Sequence, residues 1–163
     1  MSTLVHRFVL TGMAEEVPFA RRQVVDQVGK WAGPMDDETA DTVRLVASEL
    51  IANAAVHGTG PVTVTLGYKP GRLVIEVLDG NSSAPQAGCA KADDESGRGL
   101  TLVGHLAARY GWEPAGRGKR VWAEIALPVT APAARAAVLR RLFTLRSKRG
   151  VVAEPESLMR AVA

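Results

Sequence analysis

The chain has 163 residues, of which 47% are hydrophobic and 23% are charged, a composition that suits one soluble globular domain with a single core. No apolar run approaches the roughly 20 residues needed to cross a bilayer, the first residues do not resemble a signal peptide, and the single cysteine, Cys89, excludes an internal disulfide or a cysteine metal cage, so we expect a cytoplasmic protein. The formal net charge of +3 comes from residues 131–163, where seven Lys or Arg residues outnumber two acidic ones, and not from the domain in residues 1–130.

The beginning of the chain predicts a strand and an amphipathic helix. Residues 4–10 (LVHRFVL) form a short, largely apolar segment that is typical of a strand. Between residues 15 and 31, apolar side chains recur at helical spacing. The Gly33-Pro34 pair is expected to end this helix.

A second helix is predicted to begin at Asp36 or Asp37 and to end at His57-Gly58. Either aspartate can cap the helix, and the acidic residues of its first turn suit the positive end of the helix dipole. Apolar residues then recur at spacings of three and four. At the other end, Gly58 is expected to adopt a left-handed cap.

This second helix carries the most informative stretch of the sequence, residues 48–58 (SELIANAAVHG). Glu49, Asn53 and His57 share one face, because residues four apart stack above one another on a helix. A carboxylate can orient a nucleophile, and a carboxamide can hold a divalent cation by its oxygen. The same stripe is also typical of an ordinary solvated helix face, so it indicates a site only in combination with motifs further along the chain.

Two strands, a long loop, a helix and a last strand complete the predicted domain. Residues 61–66 and 72–78 alternate between apolar and polar side chains across a short turn, which predicts an antiparallel hairpin. Residues 80–98 lose all periodicity, and a loop of this length inside a compact domain is usually functional. A helix resumes at residues 100–106, and residues 120–127 form the final predicted strand.

Two glycine-containing segments are candidates for nucleotide binding. Residues 79–81 (DGN) come after a strand, although an Asp-Gly pair at that place is commonly only a turn. Residues 97–100 (GRGL) open a helix, whose first backbone N–H groups can bind a phosphate, although such glycines are often only a flexible helix entry. The standard phosphate loops are absent, since the chain has no GxxxxGK[ST] and lacks the third glycine of GxGxxG here.

Three motifs occur in an order that resembles the GHKL superfamily of gyrases, heat-shock chaperones, histidine kinases and MutL. SELIANAAVHG looks like its N-box, VIEVLDGNSSAP like its first glycine box, and ESGRGLTLVGHLAARYGW with GKRVWAEI like its second glycine box and closing strand. The sequence is most similar to the small anti-sigma factor serine kinase branch, the RsbW-like proteins, over roughly residues 4–127. The resemblance implies an α+β two-layer sandwich of the Bergerat ATP-binding type in residues 1–130, with a mixed, largely antiparallel sheet covered on one face by helices.

The resemblance also implies the ligands ATP and Mg²⁺ and the residues that bind them. Asn53 would bind Mg²⁺, Glu49 would act as catalytic base or orienter for a serine hydroxyl, and Asp79 would accept a hydrogen bond from the adenine amino group. The loop in residues 80–98 would be a lid over ATP. The other implied nucleotide-binding positions are Gly80, Gly97, Arg98, Gly99 and Leu100.

The sequence departs from the superfamily pattern at two places. Asn81, Ser82 and Ser83 come after Gly80, where the first glycine box normally contains more glycine. Residues 119–121 (KRV) stand where many members carry a threonine near the adenine. That contact is therefore expected to be missing or changed.

The leading functional hypothesis is an ATP-dependent regulatory kinase that sequesters a sigma factor and phosphorylates Ser or Thr on an anti-anti-sigma antagonist of the STAS type. A nucleotide-gated binding regulator without kinase activity remains open, because binding needs only Asn53, Asp79 and the glycines. An isolated histidine kinase catalytic domain has less support, since no pair of dimerisation helices offers a phosphoacceptor. Gyrase-like or MutL-like DNA chemistry is not expected, because the transducer domain that those proteins require is missing.

Residues 131–163 are predicted to form a basic helical extension. Leu139, Leu142, Phe143 and Leu145 interrupt its arginines at roughly helical spacing. This pattern favours a helix that contacts a partner or a second copy over a tail that binds nucleic acid. We therefore expect no direct nucleic acid or membrane contact, and the resemblance implies a homodimer.

Overall fold

The computed structural model describes residues 2–85 and 99–129, together with the backbone of Arg98. In that part of the chain, a five-stranded sheet packs against helices on one of its faces. The elements are β1 (Leu4–Leu10), a 3-10 turn (Ala14–Glu16), α1 (Val17–Ala32), α2 (Asp37–His57), β2 (Val62–Lys69), β3 (Arg72–Asp79), α3 (Arg98–Leu106), β4 (Arg109–Ala115) and β5 (Gly118–Ala126).

The sheet has the strand order β1-β2-β3-β5-β4, and each neighbouring pair of these strands is antiparallel. Leu10 at the end of β1 lies opposite Val62 at the start of β2, so α1 and α2 return the chain to the end of the sheet that it left. The α+β two-layer sandwich is confirmed. The expectation of a mixed sheet is corrected by the described strands, all of which pair antiparallel.

The alternation of buried and partly buried side chains along the strands determines which residues form the hydrophobic core. In β2, Val62, Val64 and Leu66 are fully buried and the residues between them are only partly so, as the sequence alternation predicts. The helices supply the opposite side of the core, where α2 is the central element because it contacts α1, α3 and three of the strands. Its buried residues are Val43, Val46, Ala47, Leu50, Ile51 and Ala54.

The start of α2 resolves the choice between two capping residues. The backbone N–H of Thr39 donates to Oδ1 of Asp36 at 2.7 Å, so Asp36 is the cap and Asp37 is the first helical residue. Hydrogen bonds from the Thr39 side chain and backbone hold the pKa of Asp36 below its ordinary value.

The end of α2 differs from the expected left-handed cap. Gly58 has a φ of −79°, which any residue can adopt. A Cβ at this position would overlap the carbonyl oxygen of Ala54 and lie 2.9 Å from Cβ of Asp79. Glycine is therefore required at position 58 by the closeness of the last turn of α2 and of Asp79, and not by a special backbone conformation.

Strand β4 was not predicted. It lies at the edge of the sheet, five of its seven residues are exposed, and it contains Gly111 and Pro114, so its sequence lacks the alternation of a half-buried strand. An edge strand tolerates proline, because one side of its backbone has no neighbouring strand to bond with.

Several expectations fall on residues outside the described part of the chain. Residues 86–97, which hold most of the expected lid, and the basic extension in residues 131–163 are among them. The domain boundary at residue 130 therefore stays a prediction. No helix among the described residues combines the length and the apolar character that a membrane span requires.

Candidate functional site

The candidate site lies at one end of the sheet, where β3 ends, β5 begins and α2 passes alongside. Glu49 and Asn53 stand one turn apart on α2, and both are half-buried. Asp79 ends β3 and is only 3% exposed. The structure thus places these three predicted residues on elements that pack directly against one another.

Gly99 contacts the carboxylate of Glu49. A Cβ added to Gly99 would lie 3.2 Å from Cδ of Glu49 and closer still to its Oε2. Gly99 stands in the first turn of α3, whose leading N–H groups carry the positive end of the helix dipole. The structure therefore brings the predicted base and the predicted phosphate-binding helix start into contact.

Asn53 holds a polar atom without a partner. Its Nδ2 is buried and has no hydrogen-bond acceptor among the described residues. Because almost all buried polar side-chain atoms are paired in folded proteins, such an orphan needs an explanation. A ligand that fills the space beside α2 would supply the missing partner.

Asp79 forms a buried ion pair with Lys119. The Lys119 Nζ lies 3.0 Å from Oδ2 and 3.1 Å from Oδ1 of Asp79, and both side chains are 1% exposed. The two residues are direct partners in the ladder between β3 and β5, and both point toward the helices. The Lys119 ammonium also donates to the carbonyl oxygen of Asn81 at 3.1 Å.

The two carboxylate oxygens of Asp79 have different environments. Oδ1 accepts from the backbone N–H of Asn81 at 2.8 Å as well as from Lys119, so the turn chemistry that Asp-Gly suggested is present. Oδ2 has the charge contact with Lys119 but no hydrogen bond in the described residues. Lys119 and the backbone of Asn81 together thus hold the Asp79 carboxylate at the end of β3.

The residues after β3 are bonded to the end of α2. The side-chain amide of Asn81 donates to the carbonyl oxygen of His57 at 2.6 Å, and the N–H of Gly80 donates to the carbonyl oxygen of Thr59 at 2.9 Å. A Cβ at Gly80 would overlap that same Thr59 oxygen. These contacts fix Asp79 relative to the helix that carries Glu49 and Asn53.

The other predicted positions have different outcomes. Gly97 lies outside the described residues, and only the backbone of Arg98, at the start of α3, is described. Leu100 is 8% exposed and packs in the hydrophobic core, so its contact with a nucleotide would be through the backbone. The His57 side chain is exposed, and its carbonyl oxygen serves the bond to Asn81.

Comparison with known proteins identifies the family. The model of the histidine kinase-like ATPase domain matches residues 14–125, which is more than half of the chain and includes each of the site elements described above. The chain belongs to the histidine kinase-like ATPase domain family. A search of curated proteins finds no match. The family implies nucleotide binding.

Solved structures of histidine kinases are similar to this ATPase domain. The histidine kinase domain of the blue-light activated kinase from Erythrobacter litoralis EL346 is 21% identical, with a TM-score of 0.44 over 68% of this chain and 61% of that one. A second structure of the EL346 kinase is 21% identical, with a TM-score of 0.46 over 65% of this chain and 40% of that one. The chain thus spans less than two thirds of either protein.

The residues of this ATPase domain fit a magnesium nucleotide. No group of three or more His, Cys, Asp or Glu side chains in the described residues could hold a metal by itself. Mg²⁺ usually keeps several waters and binds through one or two protein groups together with substrate phosphates. The unpartnered Nδ2 of Asn53 would donate to an oxygen of the nucleotide, its Oδ1 is the atom that would hold the metal, and Gly99 leaves room for phosphates beside the start of α3.

Gly118 was not among the predicted site residues, and Lys119 was noted only as one of the residues that stand where many superfamily members carry a threonine. Gly118 is needed because a Cβ there would overlap the carbonyl oxygen of Asp79. The sequence does indicate that Lys119 is unusual. It lies at alternate positions with Val121, Ala123 and Ile125 in β5, so the alternation of the strand puts a lysine on the core face. Its partner depends on the register between β3 and β5.

Proposed function

We propose that this ATPase domain is an ATP-binding anti-sigma regulatory factor that transfers the γ-phosphoryl group to Ser or Thr on a STAS-type anti-anti-sigma antagonist and sequesters a sigma factor. The contact between Glu49 and Gly99 is the observation that carries the proposal. This contact supports the proposal because the Glu49 carboxylate lies beside the start of α3, where phosphates would bind. A domain that only binds nucleotide has no need of a base at that place.

The proposed reaction assigns one task to each residue. Glu49 accepts the proton of the attacking hydroxyl. Asp79 accepts a hydrogen bond from the adenine amino group, and the first N–H groups of α3 bind phosphate oxygens. Asn53 would hold Mg²⁺, which when bound would neutralise part of the phosphate charge.

A phosphotransfer assay tests this proposal. The purified protein is incubated with radiolabelled ATP and a panel of STAS-type domains, and label on Ser or Thr is measured. Label transferred to a STAS domain supports the proposal. Label on His6, His57 or His105 of the chain itself, with none on any STAS domain, would contradict it and favour a histidine kinase.

The alternative is a nucleotide-gated regulator without kinase activity. It needs only Asn53, Asp79 and the glycines, and it requires no catalytic role of Glu49. Saturable ATP binding that changes the affinity for a sigma factor, without label transfer, would favour this alternative. The expected homodimer can be checked on the same samples by sedimentation.

Replacing Gly99 with alanine is expected to slow phosphoryl transfer by about 10²-fold, because a Cβ would displace the Glu49 carboxylate and small misplacements of a catalytic group have effects of that size. The rate of label transfer from ATP measures this loss. The control is Gly29→Ala in α1, where a Cβ meets nothing within 4 Å. That change should leave transfer intact and stabilise the fold by about 0.5–1 kcal/mol. Equal rates for the two variants would contradict the role of Gly99.

Replacing Asn53 with alanine is expected to weaken ATP binding about 10- to 100-fold, since an interaction with a charged group contributes about 1.5–3 kcal/mol. The loss should not add to that caused by chelating Mg²⁺ from the wild type, because both changes remove the same interaction. Calorimetry with and without the metal measures this. Val56→Ala, which alters a side chain 65% exposed on the same helix, should bind like the wild type. Additive losses would contradict the assignment.

A further inference from the structure

A groove between α2 and α3 leads away from Glu49. The two helices run antiparallel, because Gly99 at the start of α3 meets Glu49, whereas Leu106 at the end of α3 lines a cavity together with Thr42, which lies about two turns before Glu49 on α2. The proposed base therefore stands at one end of the groove, and the cavity stands at the other end.

Two exposed leucines lie on opposite sides of this groove. Leu45 precedes Glu49 by one turn of α2, and Leu102 follows Gly99 by one turn of α3, so each shares a helix face with one member of the contact at the start of the groove. Their side chains are 42% and 36% exposed, although leucine is among the residues most often buried. Single exposed leucines need no explanation, but two at the same level of one groove form an apolar patch.

The cavity at the far end of the groove has a volume of about 340 Å³, which falls within the range of about 300–1,000 Å³ that is usual for ligand pockets. Apolar residues line it from two elements, Ile125 on β5 and Leu106 with Ala107 at the end of α3. On α2, Thr42 lies about 10 Å from Glu49 along the helix axis. A protein whose hydroxyl is held at Glu49 can therefore reach the cavity with a nearby side chain.

The charges along the groove exclude an anionic occupant. The charged groups that the described residues contribute to it are the carboxylates of Glu49 and, at the cavity, Glu38. Asp41 and Arg44 on the exposed surface of the same helix bind each other. Phosphate groups of a second nucleotide or of nucleic acid thus meet carboxylates here, whereas an apolar side chain needs no charged partner, and an amide in place of the Glu38 carboxylate leaves its docking unchanged.

We propose that the groove is the docking surface for the protein substrate, in which Leu45 and Leu102 pack against apolar residues beside the acceptor Ser or Thr and the cavity receives an apolar side chain about 10 Å from the acceptor hydroxyl. The inference rests on the proposed function, which requires that hydroxyl to reach Glu49. A substrate that presents it there covers the surface next to Glu49, and the groove is continuous with that surface. The occupant is therefore the STAS-type domain.

Steady-state kinetics of the double variant Leu45→Lys, Leu102→Lys tests the inference. Loss of two anchor residues from an interface predicts that the KM for the STAS-type domain rises about 10- to 100-fold. The kcat at saturating substrate and the affinity for ATP should stay unchanged, because neither leucine belongs to the base or to the nucleotide site. Lysine has nearly the helix propensity of leucine, so α2 and α3 should be retained.

The matched control is Val9→Lys. Val9 is 62% exposed on β1, and because the neighbouring Leu10 is buried, alternation puts Val9 on the sheet face that is turned away from the helices. This variant should keep the wild-type KM. Circular dichroism checks that each variant is folded, and Leu102→Ala, which adds no charge, is a second groove variant whose KM should change in the same direction.

The outcomes separate the inference from the proposed function. If the wild type labels no STAS-type domain, the proposed function fails and the inference with it. If label is transferred but the groove variants have the wild-type KM, or if Val9→Lys raises the KM as much, the inference is overturned and the proposed function stands. An unchanged KM together with weaker binding of a sigma factor, or with altered sedimentation, would overturn it in favour of that factor or a second copy of the chain.

Discussion

Replacing Glu49 with glutamine is expected to slow phosphoryl transfer by about 10²- to 10⁴-fold while ATP binding is unchanged. General base catalysis contributes that factor, and glutamine keeps the shape of the side chain but cannot accept the proton. Because the two side chains have the same size, the contact with Gly99 is preserved and the start of α3 need not move. Label transfer and calorimetry on the same preparation separate the two effects.

The control for Glu49 is Glu38→Gln. Glu38 is an exposed carboxylate on the same helix, in its first turn, and is remote in sequence from the residues of the site. It should transfer phosphate at the wild-type rate. A Glu49→Gln protein that transfers as fast as this control would contradict the assignment of the base, and the nucleotide-gated regulator would become the better account.

Replacing Asp79 with asparagine is expected to abolish measurable ATP binding and to lower the free energy of unfolding by about 3–5 kcal/mol. The loss of stability arises from Lys119, which would be left as an uncompensated charge at 1% exposure. Asparagine keeps an oxygen for the backbone N–H of Asn81, so the turn after β3 does not contribute to the loss. Urea unfolding measures the stability of the variant.

The double variant Asp79→Asn with Lys119→Met separates stability from binding. Removing both charges should restore most of the free energy of unfolding, since apolar replacements of buried ion pairs are often neutral or stabilising. ATP binding should stay absent, because the Asp79 carboxylate that would accept from the adenine amino group is gone. A double variant as unstable as Asp79→Asn alone would contradict this interpretation of the pair, and one that binds ATP normally would contradict the assignment of Asp79 to the adenine.

The sequence predicted the local elements well, since each depends on neighbours along the chain. The alternation in residues 61–66 and 72–78 predicted the hairpin of β2 and β3, whose strands are three residues longer in total than expected. Helical spacing likewise predicted α1 and α2 to within a few residues.

Contacts between distant elements were not predictable in the same way. The pairing of Asp79 with Lys119 joins residues 40 positions apart and depends on the register of β3 with β5. The lack of space for a side chain at Gly58 arises partly from Asp79, 21 positions further along the chain, and the sequence around Gly58 does not indicate that contact. Asn81 looked like a departure from a glycine-rich motif, and its bond to the end of α2 emerged only from the fold.

Calorimetric titration of ATP into the wild-type protein, with Mg²⁺ present and then chelated, tests the central claim most directly. The claim is that α2, the start of α3 and the adjoining ends of β3 and β5 together bind a magnesium nucleotide. We expect saturable binding that weakens on removal of the metal and disappears in the Asp79→Asn, Lys119→Met protein. Absence of any ATP binding by the folded wild type in the presence of Mg²⁺ would contradict the account.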